Sequence, residues 1–252
     1  MRETIASVIA ANRFGLGARP GELALIGGDA REWLRAQLPA PPPVLAAADL
    51  SPSARILAQA LELRRENQAQ RKQAATTASA GNGAQDPAQK RLPQFLRPIY
   101  ASEVTARLQH AVATERPFLE RLTQFWSNHF AVSIDKQFLA GLAGSFEREA
   151  IRPHVLGSFT DMLLAVETHA AMQLYLDNYL SVGPNSQAAQ RRARRQAARL
   201  GINENLAREI LELHTLGVGG GYSQQDVTTF AKVISGWSIG GAAEARAALH
   251  PG

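Results

Sequence analysis

Seven polar side chains in this 252-residue sequence form a candidate cluster, because each is of a type that binds divalent cations. Imidazoles and carboxylates suit transition metals, and carboxylate and amide oxygens suit harder ions. Set on neighbouring helices, such donors could converge inside a bundle. The candidate polar cluster is His129, His169, Asp177, Asn205, Glu209, Glu212 and His214, of which the metal ligands would be His129, His169, Glu209 and His214. A divalent metal is therefore the one cofactor class indicated, and the metal's identity and any catalytic residue stay unassigned.

One predicted helix, from about residue 204 to 216, carries four of these candidates on two different faces. At 100° per residue, Asn205, Glu209 and Glu212 fall within about 60° of one another. His214 lies nearly opposite Glu209, so one helix cannot offer both to the same ion. Two ligand sets stay open: His214 with residues of neighbouring helices, or the acidic stripe without it.

Each candidate also has a structural interpretation. Glu204, Arg208 and Glu212 are spaced as an i, i+4 ion-pair ladder on a solvated face. His214 and His129 follow apolar helix faces, which is typical of buried, hydrogen-bonded imidazoles. The sequence contains neither the H-E-x-x-H nor the E-x-x-H spacing of known metal enzymes, so both interpretations remain.

Other chemistries are excluded or weakly supported. The chain has no cysteine, which excludes disulfides, thiolate nucleophiles and Cys-ligated zinc. It has no G-x-S-x-G elbow for a serine hydrolase. The glycine loop at residues 217–221 precedes a helix, but no strand leads into it and no Gly-Lys-Ser/Thr follows, so it is not a P-loop.

The net charge of +5 comes largely from one arginine-rich stretch. A basic stretch can contact phosphates, but this one has no interleaved aromatic residues for base stacking. It therefore predicts no specific nucleic-acid partner, and a solvated insert is the favoured interpretation. The five arginines are Arg191, Arg192, Arg194, Arg195 and Arg199.

Composition and periodicity predict an all-α fold, an irregular multi-helix bundle with a long flexible insertion. Ala and Leu dominate the apolar residues and are strong helix formers, and no strand pattern or repeat stands out. Apolar periodicity fades from about residue 64. The predicted organisation is 1–63 N-terminal helices, 64–96 flexible linker, 97–182 helical core, 183–202 basic flexible insert, and 203–252 a C-terminal helix pair of the same core.

No segment approaches the roughly 20 apolar residues of a membrane span. The first eleven residues lack the apolar run and small-residue cleavage site of a signal peptide. On the sequence alone, the default expectation is a cytoplasmic protein without a membrane span.

Several motifs resemble a known bacterial family, the domain of unknown function 1800. The opening N-R-F-G-L-G-A-R-P-G-E at residues 12–22 is similar to that family's start, and so are blocks spread over nearly the whole chain. They are F-W-S-N-H-F at 125–130, H-A-A-M at 169–172 with Y-L-D-N at 175–178, N-E-N-L-A-R-E at 203–209, and L-H-T-L-G-V at 213–218 with Gly221-Tyr222, Asp226-Val227 and Gly236-Trp237.

The resemblance implies no settled activity. Family members usually carry proline at the position of Ala170. They are also longer, so the resemblance implies that this chain corresponds to the N-terminal half of the family's length. Members often occur beside a sulfatase-like family, domain of unknown function 1501, which implies such a partner and an exported or envelope process. Three functions follow in order of preference: a scaffold or accessory component, a metal-assisted enzyme such as a hydrolase, and a nucleic-acid binder using the arginine stretch.

Overall fold

Every regular element that the structure describes is a helix, which confirms the all-α prediction. The structure is a computed structural model, and it describes residues 4–38, 44–45, 50–77, 87–136, 138–183, 185–187, 189–190 and 201–239. The α-helices are α1 Ile5–Ile9, α2 Glu22–Ile26, α3 Ala30–Arg35, α4 Ser53–Thr77, α5 Pro87–Ala113, α6 Pro117–His129, α7 Leu139–Phe146, α8 Phe159–Thr168, α9 Ala170–Tyr175, α10 Asn205–Glu209 and α11 Gln224–Ile234.

Three of these helices continue into a wider π-helical turn. The π turns are Ala10–Phe14 after α1, Glu147–Ile151 after α7, and Ile210–Thr215 after α10. Their i to i+5 hydrogen bonds rotate the residues that follow relative to an ideal α-helix. Short 3₁₀ turns follow at Arg152–His154 and Asn178–Leu180.

The helices belong to two compact units. Unit 1 contains residues 1–50, 101–131 and 144–166. Unit 2 contains residues 51–100, 132–143 and 167–252. The polar constellations described below each lie within one unit.

Local sequence signals fix several helix ends. Ser223 and Asp226 form a capping box at the start of α11, with the Ser223 side chain accepting from the Asp226 backbone and Asp226 accepting from the Ser223 backbone. Asp in place of Glu serves the same purpose here. Gly217 has the positive φ, 86°, expected of the glycine that ends the preceding helix.

The flexible linker predicted over residues 64–96 is largely helical. Helix α4 runs on to Thr77 and α5 begins at Pro87. Gln, Ala, Glu, Arg and Lys dominate this part of α4, and they are good helix formers without an apolar stripe, so loss of periodicity did not mean loss of helix. Residues 78–86 and 191–200, which include the arginine stretch of the predicted basic insert, lie outside the described residues.

The core of unit 2 depends on close approach of α7 to two long helices. A Cβ added at Gly141 would lie 2.5 Å from Leu96 Cδ2 and 3.1 Å from Ile56 Cγ2. Both neighbours are almost completely buried, so neither can move aside cheaply. Glycine at this position therefore sets the packing distance.

We expect Gly141→Ala to destabilise the protein by about 1–3 kcal/mol through overpacking. This loss should outweigh the gain of about 1 kcal/mol that alanine brings to a helix interior. Urea unfolding followed by circular dichroism measures the change. Gly236→Ala is the matched control in the same unit, because no atom lies within 4 Å of its added Cβ; equal losses at the two positions would contradict the packing account.

Candidate functional site

A buried arginine in unit 1 holds two buried glutamates. Arg152, only 2% exposed, follows the π turn after α7. Its Nη1 and Nη2 donate to the two Glu120 carboxylate oxygens at 2.8 and 2.7 Å. Its Nε donates to Glu147 Oε1 at 2.9 Å, and Nη2 lies 2.7 Å from the same oxygen. One guanidinium thus serves two carboxylates, one of them bidentately.

Side chains nearer the surface complete this arrangement. Arg107 Nε lies 2.9 Å from Glu147 Oε2, and the Ser127 hydroxyl donates to the same oxygen at 2.9 Å. His110 Nε2 lies 3.4 Å from Glu120 Oε2. We call Arg152, Glu120, Glu147, Arg107 and His110 the Arg152 cluster.

The sequence positions the cluster through two helical periods. On α6, Glu120, Thr123 and Ser127 recur at i, i+3 and i+7, which makes one polar stripe on a helix that is otherwise apolar on its buried side. Glu147 and Arg152 are five residues apart, and the π turn between them brings their side chains together.

Electrostatics favour the charged form of the central arginine. Burial opposes the charge on Arg152, but hydrogen bonds and Coulombic attraction from Glu120 and Glu147 outweigh it and raise the pKa of the guanidinium. The arrangement is therefore a permanent buried ion network, because arginine does not release its proton in proteins. Its chemistry suits holding helices together rather than proton transfer.

A second ion pair, between the half-buried Arg148 and the buried Glu103, supports the same unit. Arg148 donates through Nε and Nη2 to Glu103, with the shortest distance at 2.7 Å. Gly144 makes room for this carboxylate, since a Cβ there would lie 2.4 Å from the Glu103 Cβ.

Unit 2 contains a buried His–carboxylate pair. His214 Nδ1 lies 2.7 Å from Glu167 Oε1, and both side chains are almost fully buried. His214 sits in the π turn after α10 and Glu167 near the end of α8. A carboxylate at Nδ1 fixes the orientation of an imidazole, as it does for catalytic and metal-binding histidines. We call this the Glu167–His214 pair.

The structure places the predicted site residues in different surroundings. His129 lies in unit 1 among aromatic rings. In unit 2, His169 caps α9 by accepting the Ala171 backbone N–H at 3.1 Å. Asp177 lies 2.7 Å from Lys136 Nζ. Within the described ranges, no three His, Asp or Glu side chains are grouped so that they could hold a metal ion.

The residues of the predicted acidic stripe are on the outside of unit 2 or half-buried. Asn205 is exposed, and Glu209 and Glu212 are half-buried. The predicted ladder is present at its first step, where Arg208 lies 3.3 Å from Glu204. His214 is buried, as its helix phase indicated, and the metal site itself stays a prediction.

Sequence reasoning did not find the residues at the centre of either constellation. Glu120, Glu147, Arg152 and Glu167 lie in no motif that indicates a function. One signal is present in the sequence: Glu120, Thr123 and Ser127 form a polar stripe on a helix that also carries Phe118, Leu119, Leu122, Phe125 and Trp126. No signal in one sequence indicates which distant partner a buried acid has.

Polar residues of the first family-like motif hold the chain in place. The Arg19 backbone N–H donates to the buried Glu22 carboxylate at 2.8 Å, and Arg19 Nη1 reaches the Ala113 carbonyl at 3.4 Å. Arg121 Nε donates to the Gly15 carbonyl at 2.8 Å. These contacts tie the glycine-rich segment between α1 and α2 to the ends of α5 and α6 inside unit 1.

Motif residues in unit 2 do the same around α9 and α10. Asn203 Nδ2 donates to the Leu176 and Asp177 carbonyls at 3.2 and 3.1 Å, and its Oδ1 accepts the Asn205 backbone N–H at 2.9 Å. The Asn178 amide, fully buried, donates to the Ile234 carbonyl at 3.3 Å. Asp177 needs this support because its φ of 57° is left-handed.

Glu204 joins α10 to α11. It accepts the Thr228 hydroxyl at 2.7 Å and the Gln224 amide at 2.8 Å. These hydrogen bonds lower the pKa of the Glu204 carboxyl, with a smaller contribution from Arg208. The acid at the start of α10 is thus a link between two helices.

No helix in the described part of the chain is long and apolar enough to cross a membrane. A family model described as protein of unknown function (DUF1800) matches residues 9–251. No curated protein and no solved structure matches the chain.

Removing the central cation should destabilise unit 1 strongly. We expect Arg152→Met to lower the free energy of unfolding by about 3–5 kcal/mol, because it leaves two buried carboxylates without their counter-charge. The matched control is Arg208→Met, whose ion pair is 42% exposed at the arginine and should be worth less than about 1 kcal/mol. Similar losses in the two variants, measured by urea unfolding, would contradict the assignment.

The Arg152 cluster also predicts a pH dependence of stability. Burial lowers the pKa of His110 below its ordinary 6.5; the charges of Arg152 and Arg116 act in the same direction, and those of Glu120 and Glu147 oppose them. The unfolded chain therefore binds the proton more readily, so this group's contribution to stability is complete above pH 6.5 and is lost as pH falls below it. His110→Gln should reduce the dependence of the thermal midpoint on pH between about pH 7 and pH 5. If the midpoint of the variant changes with pH as much as that of the wild type, His110 is not the source of this dependence.

Proposed function

Since this chain belongs to the DUF1800 family of proteins of unknown function, we propose a role that its polar side chains support best: a non-catalytic helical scaffold or accessory component. The observation that carries the proposal is the use made of the motif residues. Arg19, Glu22, Asn178, Asn203 and Glu204 all bind backbone groups or neighbouring helices of their own unit.

The Arg152 cluster supports the same interpretation. A buried ion network is expensive to assemble and is best explained where it fixes one arrangement of helices. Its carboxylates already accept from arginine and serine donors, which is the surrounding of a structural acid rather than of a general base.

The setting proposed for the scaffold is an exported or envelope process with a sulfatase-like neighbour protein. The support for this setting is the resemblance in the motifs between residues 12 and 237. The scaffold would contribute a rigid surface to an assembly, and the buried networks would keep that surface in one shape.

The Glu167–His214 pair favours a second candidate, an enzyme that uses His214. With Nδ1 held at 2.7 Å from a carboxylate, the other ring nitrogen is the one that would accept a proton or bind a divalent metal. His214 also lies in one of the family-like motifs. In this alternative Glu167 is a positioning residue, and the reaction would be a metal-assisted hydrolysis.

Metal content and stability together separate the two candidates. For a scaffold, we expect the purified full chain to contain no stoichiometric metal and His214→Ala to lower Tm by several degrees, because it leaves Glu167 buried beside a cavity. Elemental analysis and thermal unfolding provide the two measurements.

Glu209→Gln is the comparison variant, since Glu209 is half-buried on the acidic stripe. In the scaffold account this change should leave Tm nearly unchanged. A metal bound to the wild type and lost in either variant without a change in Tm would contradict the scaffold account, and the variant that loses it would show which ligand set is correct.

A further inference from the structure

Aromatic side chains of the F-W-S-N-H-F motif, together with Phe159, are exposed or half-buried on the surface of unit 1. Phe125 is 57% exposed and Phe159 is 40% exposed, while Trp126 and His129 are half-buried. Aromatic side chains of this size usually bury most of their ring surface away from water. We call Phe125, Trp126, His129 and Phe159 the aromatic face.

The rings of this face support one another. Trp126 packs edge-on against Phe125 at 5.0 Å between centroids, and its ring is tilted by 38° against that of Phe159 at 5.6 Å. The fully buried Phe130 lies beneath, stacked on Trp126 at 5.9 Å with 19° between the ring planes and on Phe159 at 6.3 Å with 22°. Phe159 thus packs directly on a buried ring and Phe125 is linked to it through Trp126, which reduces the ordering that binding would require.

The chain segments that carry the aromatic face have few basic residues. No Lys or Arg occurs from residue 122 to 135 or from 155 to 168, although the whole chain has a net charge of +5. Arg121, one helical turn before Phe125, donates to the Gly15 and Asn12 carbonyls. Nucleic acids and anionic lipids are bound through clustered basic residues. An uncharged ligand therefore fits this face better than a phosphate-bearing one.

The polar residues closest in sequence to the two exposed rings carry an amide, a hydroxyl and a carboxylate. Asn128, three residues after Phe125 and so one helical turn from it, is exposed, and so are Thr160 and Asp161, which follow Phe159. The amide and the hydroxyl both donate and accept hydrogen bonds, and the carboxylate accepts them. The combination of apolar ring faces with such donors and acceptors matches a ligand that has apolar faces and hydroxyl edges.

We propose that the aromatic face binds the sugar rings of an uncharged glycan. The C–H face of a pyranose would pack on an aromatic ring, with Phe125 and Phe159 as the two exposed platforms, and the exposed side chains of Asn128 and Thr160, neighbours of these rings in sequence, would hydrogen-bond to its hydroxyls. Two platforms favour an oligosaccharide over a single sugar. Glycan binding does not depend on the scaffold role, because it would serve an enzyme equally well.

The experiment titrates the full chain with neutral oligosaccharides and follows tryptophan fluorescence. The probes are the β-1,4-linked pentamers of N-acetylglucosamine and of glucose, and the α-1,4-linked pentamer of glucose. Trp33→Phe and Trp237→Phe are introduced together so that the signal comes from Trp126 alone. Phe125→Ala and Phe159→Ala test the platforms, and Phe14→Ala is the matched control, because Phe14 is 42% exposed in the same unit but packs on Phe118.

We expect at least one pentamer to shift the Trp126 emission saturably, with Phe125→Ala and Phe159→Ala weakening the affinity at least 10-fold and Phe14→Ala changing it less than 2-fold. Circular dichroism confirms that each variant is folded. No response up to about 10 mM of every pentamer, or equal weakening by Phe14→Ala, would overturn the proposal. So would self-association in ultracentrifugation that Phe125→Ala abolishes, since the face would then be occupied by a second copy.

Discussion

Arg152 carries a full positive charge at a position that water does not reach, and that charge is tolerable only where acids surround it. The desolvation of an ion costs several kcal/mol even after the protein relaxes. The negative charges of Glu120 and Glu147 offset this desolvation cost. Each of these buried carboxylates is in turn stabilised by the positive charge of Arg152. Helix α6, the π turn after α7 and the 3₁₀ turn that follows must therefore keep one arrangement, because moving any of them would separate buried charges.

The π turns of this fold limit how far side-chain directions can be predicted from one sequence. Capping at Ser223 and Asp226 and the helix end at Gly217 follow from local chemistry and agree with the structure. The phase of His214 relative to Glu209 was calculated for 3.6 residues per turn, whereas the chain widens into a π turn from Ile210 to Thr215. A π turn has no sequence signature, so side-chain directions beyond it cannot be derived in this way.

Tertiary partners were the other part that could not be predicted. The length of α4 beyond residue 64 follows from the helix propensity of Gln, Ala and Glu, and was missed because the stretch lacks apolar periodicity. The pairing of Glu167 with His214 joins residues 47 positions apart. The pairing of Glu120 with Arg152 joins residues 32 positions apart. Neither pair has a spacing rule, so only the structure shows that these acids are buried and used.

The motif side chains fall into two groups: those whose partners lie within the fold, and those that are exposed on its surface. The motif residues Arg19, Asn203 and Glu204 and the Arg152 cluster belong to the first group, since their partners are backbone carbonyls, amides and counter-charges of the same unit. The exposed rings of the F-W-S-N-H-F motif are not explained in this way. The structural motifs thus supply a rigid frame, and the surface they hold is where a ligand or partner would bind.

The most direct test of the central claim is a double-mutant cycle between Arg152 and Glu120. Unfolding free energies of the wild type, Arg152→Met, Glu120→Gln and the double variant give the coupling energy between the two side chains. If the buried pair holds unit 1 together, the coupling should be about 2–3 kcal/mol, and the double variant should be more stable than the sum of the single losses implies. Losses that add to within about 0.5 kcal/mol would contradict the claim that this ion network organises the fold.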